Sequence, residues 1–146
     1  MNMFEKDTRK SLHKSERLSS KKQIESLFSK GGKYFNFPPF AVRYTGLSSA
    51  HTGQHQILIS VSKRNFKRAV DRNRLKRQIR EAYRLNKHLI ADLPDKLAIA
   101  YIYTFKKMMA YKDLEDKLIK SLSRLKTELE KENAQETNNK TDNPDL

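Results

Sequence analysis

Apolar and polar positions alternate in three stretches of the chain, and this period of two predicts β-strands with one buried face. The three predicted strands span residues 40–45, 56–62 and 97–103. Pro38-Pro39 lies directly before the first strand, where it is incompatible with helix and favours an extended run. Residues 46–55 are rich in Gly, Ser, Thr and His, so we expect a loop that joins the first two strands as a hairpin.

Three other stretches have apolar residues every three or four positions, the period of an α-helix that buries one side. The first begins after Ser20, which stands in capping-box spacing with Gln23, and ends at Gly31-Gly32. The second lies within residues 63–84, and the third spans 111 to about 130. The predicted order is therefore α-β-β-α-β-α, an α+β fold with a small mixed sheet, packed helices and one strand–helix–strand crossover.

Composition divides the chain into one domain and two polar ends. The length of 146 residues suits a single domain, which we place at residues 19–131. Residues 1–18 are polar and contain no apolar segment, which predicts a flexible basic arm and no signal peptide. Residues 132–146 are almost entirely polar and net acidic, which predicts a disordered tail. No stretch approaches the ~20 apolar residues of a membrane span, so we expect a cytoplasmic protein.

The balance of charge narrows the class of partner. The chain has 31 Lys and Arg against 17 Asp and Glu, a formal net charge of +14. Such an excess favours a polyanion as partner, because neutralised phosphates release counterions. Nucleic acid is the leading candidate and an anionic membrane is the rival. The chain has no cysteine, which excludes disulfides and thiolate zinc sites, and its four histidines show no metal-ligand spacing.

The positive charge is concentrated in residues 63–84, which hold ten basic residues and two acidic ones. On a helical wheel, apolar residues occupy one face and cationic residues the other. The apolar face consists of Leu75, Ile79, Ala82 and Tyr83. The opposite face, here called the cationic strip, consists of Asn73, Lys76, Arg77, Arg80 and Arg84. Arginine grips phosphate in a bidentate manner, so the strip favours nucleic-acid binding over simple solvation.

The same segment carries a long motif. It consists of Ser60-Val61-Ser62-Lys63-Arg64, Ala69-Val70-Asp71-Arg72-Asn73-Arg74-Leu75-Lys76-Arg77 and Arg80-Glu81. It resembles the signature of the bacterial ribonuclease P protein family, in which a strand ends in Ser-Val-Ser-Lys-Lys and a helix carries Arg-Asn-Arg-x-Lys-Arg-x-x-Arg. Arg64 replaces the commoner second Lys, and the resemblance extends over about residues 18–130. The resemblance implies a left-handed crossover, although such crossovers are right-handed in ~98% of cases.

Proteins of this family assist a catalytic RNA that removes the 5′ leader of precursor tRNA. The resemblance therefore implies the RNA-binding subunit of an endoribonuclease whose RNA subunit, with bound Mg²⁺, performs the hydrolysis. It implies no catalytic residue, no metal ligand and no organic cofactor in the protein. The implied partners are the catalytic RNA, with one protein per RNA, and precursor tRNA, whereas no membrane is expected.

Two binding sites are implied by the same resemblance. The contact with the RNA subunit is assigned to Arg68, Arg72, Asn73, Arg74, Lys76, Arg77, Arg80 and Arg84. A cleft between the first helix and the sheet, which holds the single-stranded leader, is assigned to Ile24, Phe28, Tyr44, Lys63 and Arg64. Aromatic rings in a basic groove are what single strands bind, although burial in the core is the alternative for the apolar and aromatic members.

Other classes of function stay open on the sequence alone. A ribosomal or general RNA-binding protein shares the charge and the basic helix but does not require the spacing of the motif. A metal-dependent nuclease requires clustered carboxylates, whereas the acidic residues fall mainly on predicted helix surfaces. Membrane binding requires a broad apolar face, which the basic helix lacks.

Overall fold

A computed structural model of the protein describes residues 12, 14–29, 31–47 and 53–141, with side chains as far as residue 134. This part of the chain forms three α-helices and four β-strands. The helices are α1 (Lys21–Phe28), α2 (Ala69–Asn86) and α3 (Tyr111–Thr141). The strands are β1 (Lys33–Phe37), β2 (Phe40–Gly46), β3 (Gln56–Val61) and β4 (Leu97–Tyr103). The predicted α+β class is confirmed.

One strand was missed in the sequence prediction. β1 precedes Pro38-Pro39 and pairs antiparallel with β2, from Lys33 opposite Tyr44 to Phe37 opposite Phe40. The two prolines therefore form the turn of a hairpin and do not begin a strand. The predicted order α-β-β-α-β-α was wrong by this one element, because the order in the described residues is α-β-β-β-α-β-α.

The strands are arranged in the order β1-β2-β4-β3. β4 pairs antiparallel with β2 and parallel with β3. The predicted hairpin between β2 and β3 is therefore wrong, because β4 lies between them. The predicted crossover is present as β3–α2–β4, since a parallel pair needs a long connection between its strands. The left-handed sense of that crossover stays a prediction.

The two faces of the sheet pack against different helices. Side chains alternate between the faces of a strand, so Ile99 and Tyr101 of β4 belong to one cluster whereas Ala98 and Ala100 belong to another. The larger cluster includes the buried side chains of α2 and α3. Burial of each leucine or isoleucine in it stabilises the folded state by ~1.5–3 kcal/mol. The smaller cluster contains α1 through buried Leu27. The face under α2 and α3 therefore supplies most of the folding free energy.

α1 begins and ends as its sequence predicts. The Oγ of Ser20 accepts a hydrogen bond from the N–H of Gln23, which confirms the predicted N-cap. At the other end, a Cβ atom on Gly32 would collide with the carbonyl oxygen of Leu27. Only glycine fits this close return of the chain, which carries it from α1 into β1.

The segment before α1 is folded where a flexible arm was predicted. Leu18 is buried, and its N–H donates a hydrogen bond to a carbonyl of β3 at 2.9 Å. The buried carboxylate of Glu16 pairs with Lys87, with 2.8 Å between Oε1 and Nζ. The arm predicted at 1–18 was therefore wrong for residues 14–18, whereas residues 1–11 and 13 lie outside the described part of the chain.

α3 continues past its predicted end near residue 130 and reaches Thr141. Glu132 in this continuation accepts a hydrogen bond from the hydroxyl of Tyr44 at 2.7 Å, and its Oε1 lies 3.1 Å from Nζ of Lys33. The disordered tail predicted at 132–146 was therefore wrong for 132–141, whereas 142–146 lie outside the described residues.

Candidate RNA-binding surfaces

α2 holds the cationic strip at the protein surface. The four predicted apolar positions, Leu75, Ile79, Ala82 and Tyr83, are buried against the core, which confirms the apolar face of the wheel. The remaining side of the helix contains the predicted basic residues. Asn73, Arg74 and Arg77 are exposed, and Lys76, Arg80 and Arg84 are half-buried. The strip is therefore open along the length of the helix.

Two of the predicted contact residues have acidic partners at the surface. The Nε of Arg84 lies 3.0 Å from a carboxylate oxygen of Glu81, and this hydrogen bond lowers the pKa of Glu81. Arg68 lies 4.0 Å from Asp71, one turn further along the chain. Because these two cations are already partly neutralised, they offer less to a phosphate than unpaired arginines do.

Arg72 has an internal partner of another kind. Its guanidinium donates hydrogen bonds to the carbonyl oxygens of Phe66 and Lys67, at 2.8 and 2.9 Å. These carbonyls belong to the loop between β3 and α2, which also contains Lys63 and Arg64. Arg72 therefore ties this loop to the first turns of α2.

Arg77 and Arg80 form no ion pair with any described residue. Burial lowers the pKa of Arg80, and the positive charges of Arg17 and Arg77 lower it further. Arg17 is held near α2 by its bridge to Ile57 of β3. Sequence reasoning missed Arg17 because it assigned this residue to a flexible arm. Repulsion among these three cations favours a bound polyanion, which relieves it.

The predicted leader residues do not all lie on one surface. Ile24 is half-buried and packs on the α1 side of the sheet with Ala98 and Ala100. Tyr44 is buried in the core on the opposite side, and its hydroxyl donates to Glu132 of α3. Burial, followed by the neighbouring Glu132, raises the pKa of Tyr44. Phe28 contacts Arg43, the neighbour of Tyr44 in β2. Because adjacent residues of a strand point to opposite faces, Tyr44 and Phe28 lie on opposite sides of the sheet, and their predicted grouping is wrong.

Arg43 precedes Tyr44 in β2, and its side chain lies on the α1 side of the sheet with Phe28 and Tyr34, here called the cleft face. Its Cζ lies 5.2 Å from the ring centroid of Phe28 and 5.4 Å from that of Tyr34. Phe28 is 43% exposed and Tyr34 is 63% exposed, so both rings present open surface to the solvent. A cation beside two open rings is the combination that single-stranded nucleic acid binds. Sequence reasoning missed Arg43 and Tyr34.

Lys63 and Arg64 are exposed in the turn after β3. Because β3 and β4 are parallel, this turn and the residues after β4 meet at one edge of the sheet. An open depression at that edge is lined by Ser62, Lys63, Arg64, Asn65, Ile102, Tyr103, Thr104 and Lys106. Ile102 alternates to the same face as Ala98 and Ala100. The two predicted cations therefore border the α1 side of the sheet.

The described residues contain neither a membrane-spanning helix nor a metal cluster. Within the described ranges, no helix combines the length and apolar character needed to cross a bilayer. These ranges also contain no group of three or more His, Cys, Asp or Glu placed to hold a metal ion. Several acidic side chains pair instead with basic ones, as Asp92 does with Lys126 and Glu128 with Arg124.

Comparison with known proteins connects these surfaces to one family. The family model described as ribonuclease P matches residues 12–126. The ribonuclease P protein component of Porphyromonas gingivalis is 39% identical over 118 residues, which cover 78% of this chain and 85% of that protein. The solved RNase P protein of Thermotoga maritima is 26% identical with a TM-score of 0.60, covering 75% of this chain and 96% of that one. The Staphylococcus aureus RNase P protein shares the fold at 23% identity and a TM-score of 0.61, covering 77% and 95%. The matched residues contain α2, the cleft face and the loop between β3 and α2, and this chain belongs to the ribonuclease P protein family.

Proposed function

We propose that this chain is the protein subunit of a ribonuclease P, which assists a catalytic RNA in removing the 5′ leader from precursor tRNA. The observation that carries the proposal is a family match that spans most of the domain and includes an exposed, basic α2. One protein binds one RNA subunit in the cytoplasm, and the RNA subunit holds most of the Mg²⁺ used in hydrolysis. Electrostatic attraction between the strip and RNA phosphates supports this arrangement.

The cationic strip is the proposed contact with the RNA subunit. Its strongest contributors are Arg77 and Arg80, because no described carboxylate neutralises them. Arg17 adds its charge to theirs. Asn73, Arg74 and Lys76 extend the contact, whereas Arg68, Arg72 and Arg84 divide their hydrogen bonds between RNA and their partners within the protein.

The α1 side of the sheet is the proposed site for the single-stranded leader. Phe28 supplies an exposed ring, and Arg43 supplies a cation beside it. Lys63 and Arg64 at the edge of the same face neutralise leader phosphates as the strand leaves the cleft. Ile24 contributes apolar packing beneath the strand, since it is half-buried against the smaller core cluster.

Reconstitution tests the proposed role as a subunit. The protein, the catalytic RNA and both together are incubated with precursor tRNA and Mg²⁺. The mixture of both is expected to cleave at the 5′ end of the mature tRNA faster than RNA alone, and the protein alone is expected not to cleave. A specific 5′ cut by protein purified free of RNA would overturn the proposal, as would a failure of the protein to stimulate the RNA.

A leader-length series tests the proposed cleft. Phe28→Ala is expected to lower the affinity of the holoenzyme for precursor tRNA with a long leader by about 1–3 kcal/mol, the contribution of one stacked base. Affinity for mature tRNA, which has no leader, should not change. Tyr44→Phe is the matched control, because this ring lies on the opposite face of the sheet. Equal leader dependence in the wild-type protein and Phe28→Ala would contradict the cleft.

A further inference from the structure

We propose that Arg43 recognises a guanine base in the leader, by donating paired hydrogen bonds to O6 and N7 of that base. This inference rests on the leader cleft proposed above and adds a base preference to it. Arg43 is not among the residues that were assigned to the leader from the sequence. Its side chain lies on the cleft face with Phe28 and Tyr34.

The guanidinium of Arg43 is held in place, but no described residue accepts a hydrogen bond from it. It lies over two aromatic rings, and such cation–π contacts are favourable by about 0.5–1 kcal/mol each at exposed sites. Among the described residues, no side chain or backbone carbonyl accepts a hydrogen bond from it, and no carboxylate pairs with it. Its N–H donors lie in one plane as a rigid fork, so an incoming ligand meets an oriented and unused pair of donors.

The neighbouring strands leave this fork accessible. Arg43 stands opposite Tyr34 in β1 and opposite Ala100 in β4. Tyr34 is largely exposed, and Ala100 contributes only a methyl group. Neither side chain forms a hydrogen bond with the guanidinium, and Tyr34 contacts it through its ring.

Its surroundings favour a base over a phosphate as the ligand. The open rings of Phe28 and Tyr34 provide surfaces on which bases stack. The leader phosphates can instead contact Lys63 and Arg64, which are exposed at the edge of the same face. A strand whose bases turn toward the rings therefore brings a base edge, and not its backbone, to Arg43.

Guanine is the base that matches the fork. It presents two adjacent acceptors, O6 and N7, and arginine binds this pair in a bidentate manner. Adenine presents N7 beside an amino donor, which opposes a second arginine donor. In a single strand these edges are free of pairing and accessible to a side chain.

The test measures holoenzyme affinity for precursor tRNAs whose leader is uridine except for one guanosine, moved one position at a time. At one position guanosine should tighten binding by about 5- to 150-fold over uridine. Inosine at that position keeps O6 and N7 and should bind like guanosine. Adenosine and 7-deazaguanosine, which lacks N7, should lose most of the gain.

Arg43→Lys keeps the charge but removes the fork, so it should abolish the difference between guanosine and adenosine while retaining the dependence on leader length. Arg124→Lys is the matched control, because Arg124 also lies over an aromatic ring, Phe35, but on the side of the sheet that contains α3. It should keep the guanosine preference. A circular dichroism spectrum and an unfolding curve for each variant establish that both are folded.

Three results would overturn the inference while leaving the leader cleft intact. They are equal affinity for every base at every position, a guanosine preference that persists in Arg43→Lys, and full affinity for 7-deazaguanosine. Equal loss of affinity for all bases in Arg43→Lys would identify a phosphate contact instead. An affinity that does not depend on leader length at all would reject the proposed cleft itself.

Discussion

Replacing Arg77 with Ala should weaken RNA binding without weakening the fold. Arg77 is exposed and has no ion pair with any described residue, so the protein loses no internal contact of that kind. Each phosphate contact contributes roughly 0.7–0.9 to the slope of log affinity against log salt concentration. A loss of ~0.8 in slope corresponds to about a sixfold loss of affinity at about 0.1 M salt, and the loss shrinks as salt rises.

Arg72→Ala removes an equal charge from the same helix but should behave differently. It deletes two hydrogen bonds, at 2.8 and 2.9 Å, to the loop before α2. Bonds from a charged group are worth ~1.5–3 kcal/mol each when buried, and the partial exposure of Arg72 reduces this to about 1–2 kcal/mol in total. The free energy of unfolding should therefore fall in Arg72→Ala but not in Arg77→Ala, which relieves repulsion with Arg80.

Two measurements separate these effects. Fluorescence anisotropy with labelled catalytic RNA, repeated over a series of salt concentrations, gives the slope for each variant. Urea unfolding of the protein alone gives its stability, with the midpoint compared at constant m-value. A wild-type slope in Arg77→Ala would show that the strip is only a solvated face. A wild-type stability in Arg72→Ala would refute the anchoring role of its hydrogen bonds.

Three other substitutions probe the fold. Lys87→Ala removes one ion-pair partner of a buried carboxylate, Glu16, and should lower the free energy of unfolding by up to ~3 kcal/mol. Exposed Lys112→Ala is the control in the same urea titration, and equal midpoints would contradict the folded segment before α1. Leu122→Ala leaves a cavity beneath α3 and should lower the free energy of unfolding by about 2–5 kcal/mol. A decrease of less than about 1 kcal/mol, well below that range, would show that α3 packs loosely. Burial raises the pKa of Tyr101 above its ordinary 10.0, so the unfolded chain releases this proton first and stability falls as pH rises past 10.0. Unfolding curves at increasing pH should decline less steeply in Tyr101→Phe, and identical declines would exclude this tyrosine as a cause.

The missed strand shows where local pattern carries too little information. β1 buries only Phe35 fully, because it lies at the edge of the sheet and exposes most of its side chains. An edge strand of this kind has no regular alternation to detect. The proline pair was correctly excluded from helix, but a turn and the start of a strand satisfy the same backbone restriction.

The predictions of the strand order and of the length of α3 failed for different physical reasons. The position of β4 between β2 and β3 depends on contacts between residues distant in sequence, which local periodicity does not encode. The end of α3 was misplaced because residues 131–141 have little to bury, and low hydrophobicity was taken as disorder. Glu, Lys, Gln and Ala nevertheless favour helix through their backbone and rotamer preferences. A polar helix can therefore continue from a buried one.

The candidate surfaces were predicted unevenly. The face of α2 followed from the helical period, because a single helix determines which side chains share a face. The proposed leader cleft joins a helix to a sheet, so its members depend on which face of β2 meets α1. The alternation in β2 does group Tyr44 with Phe40 and Val42, and this grouping contained the evidence that its neighbour Arg43 faces the other way.

The unequal covering of the sheet affects how this protein can change over generations. Substitutions on the face beneath α2 and α3 remove buried area, so most of them reduce the amount of folded protein in the cell. On the other face, Ala41, Ser60 and Ile102 are only half-buried and lie outside the main core cluster. Amino-acid changes at these positions are less costly to folding, so the proposed leader cleft predicts that lineages acquire new leader preferences there by single mutations. Directed evolution toward altered precursor selectivity should therefore begin with libraries at these three positions.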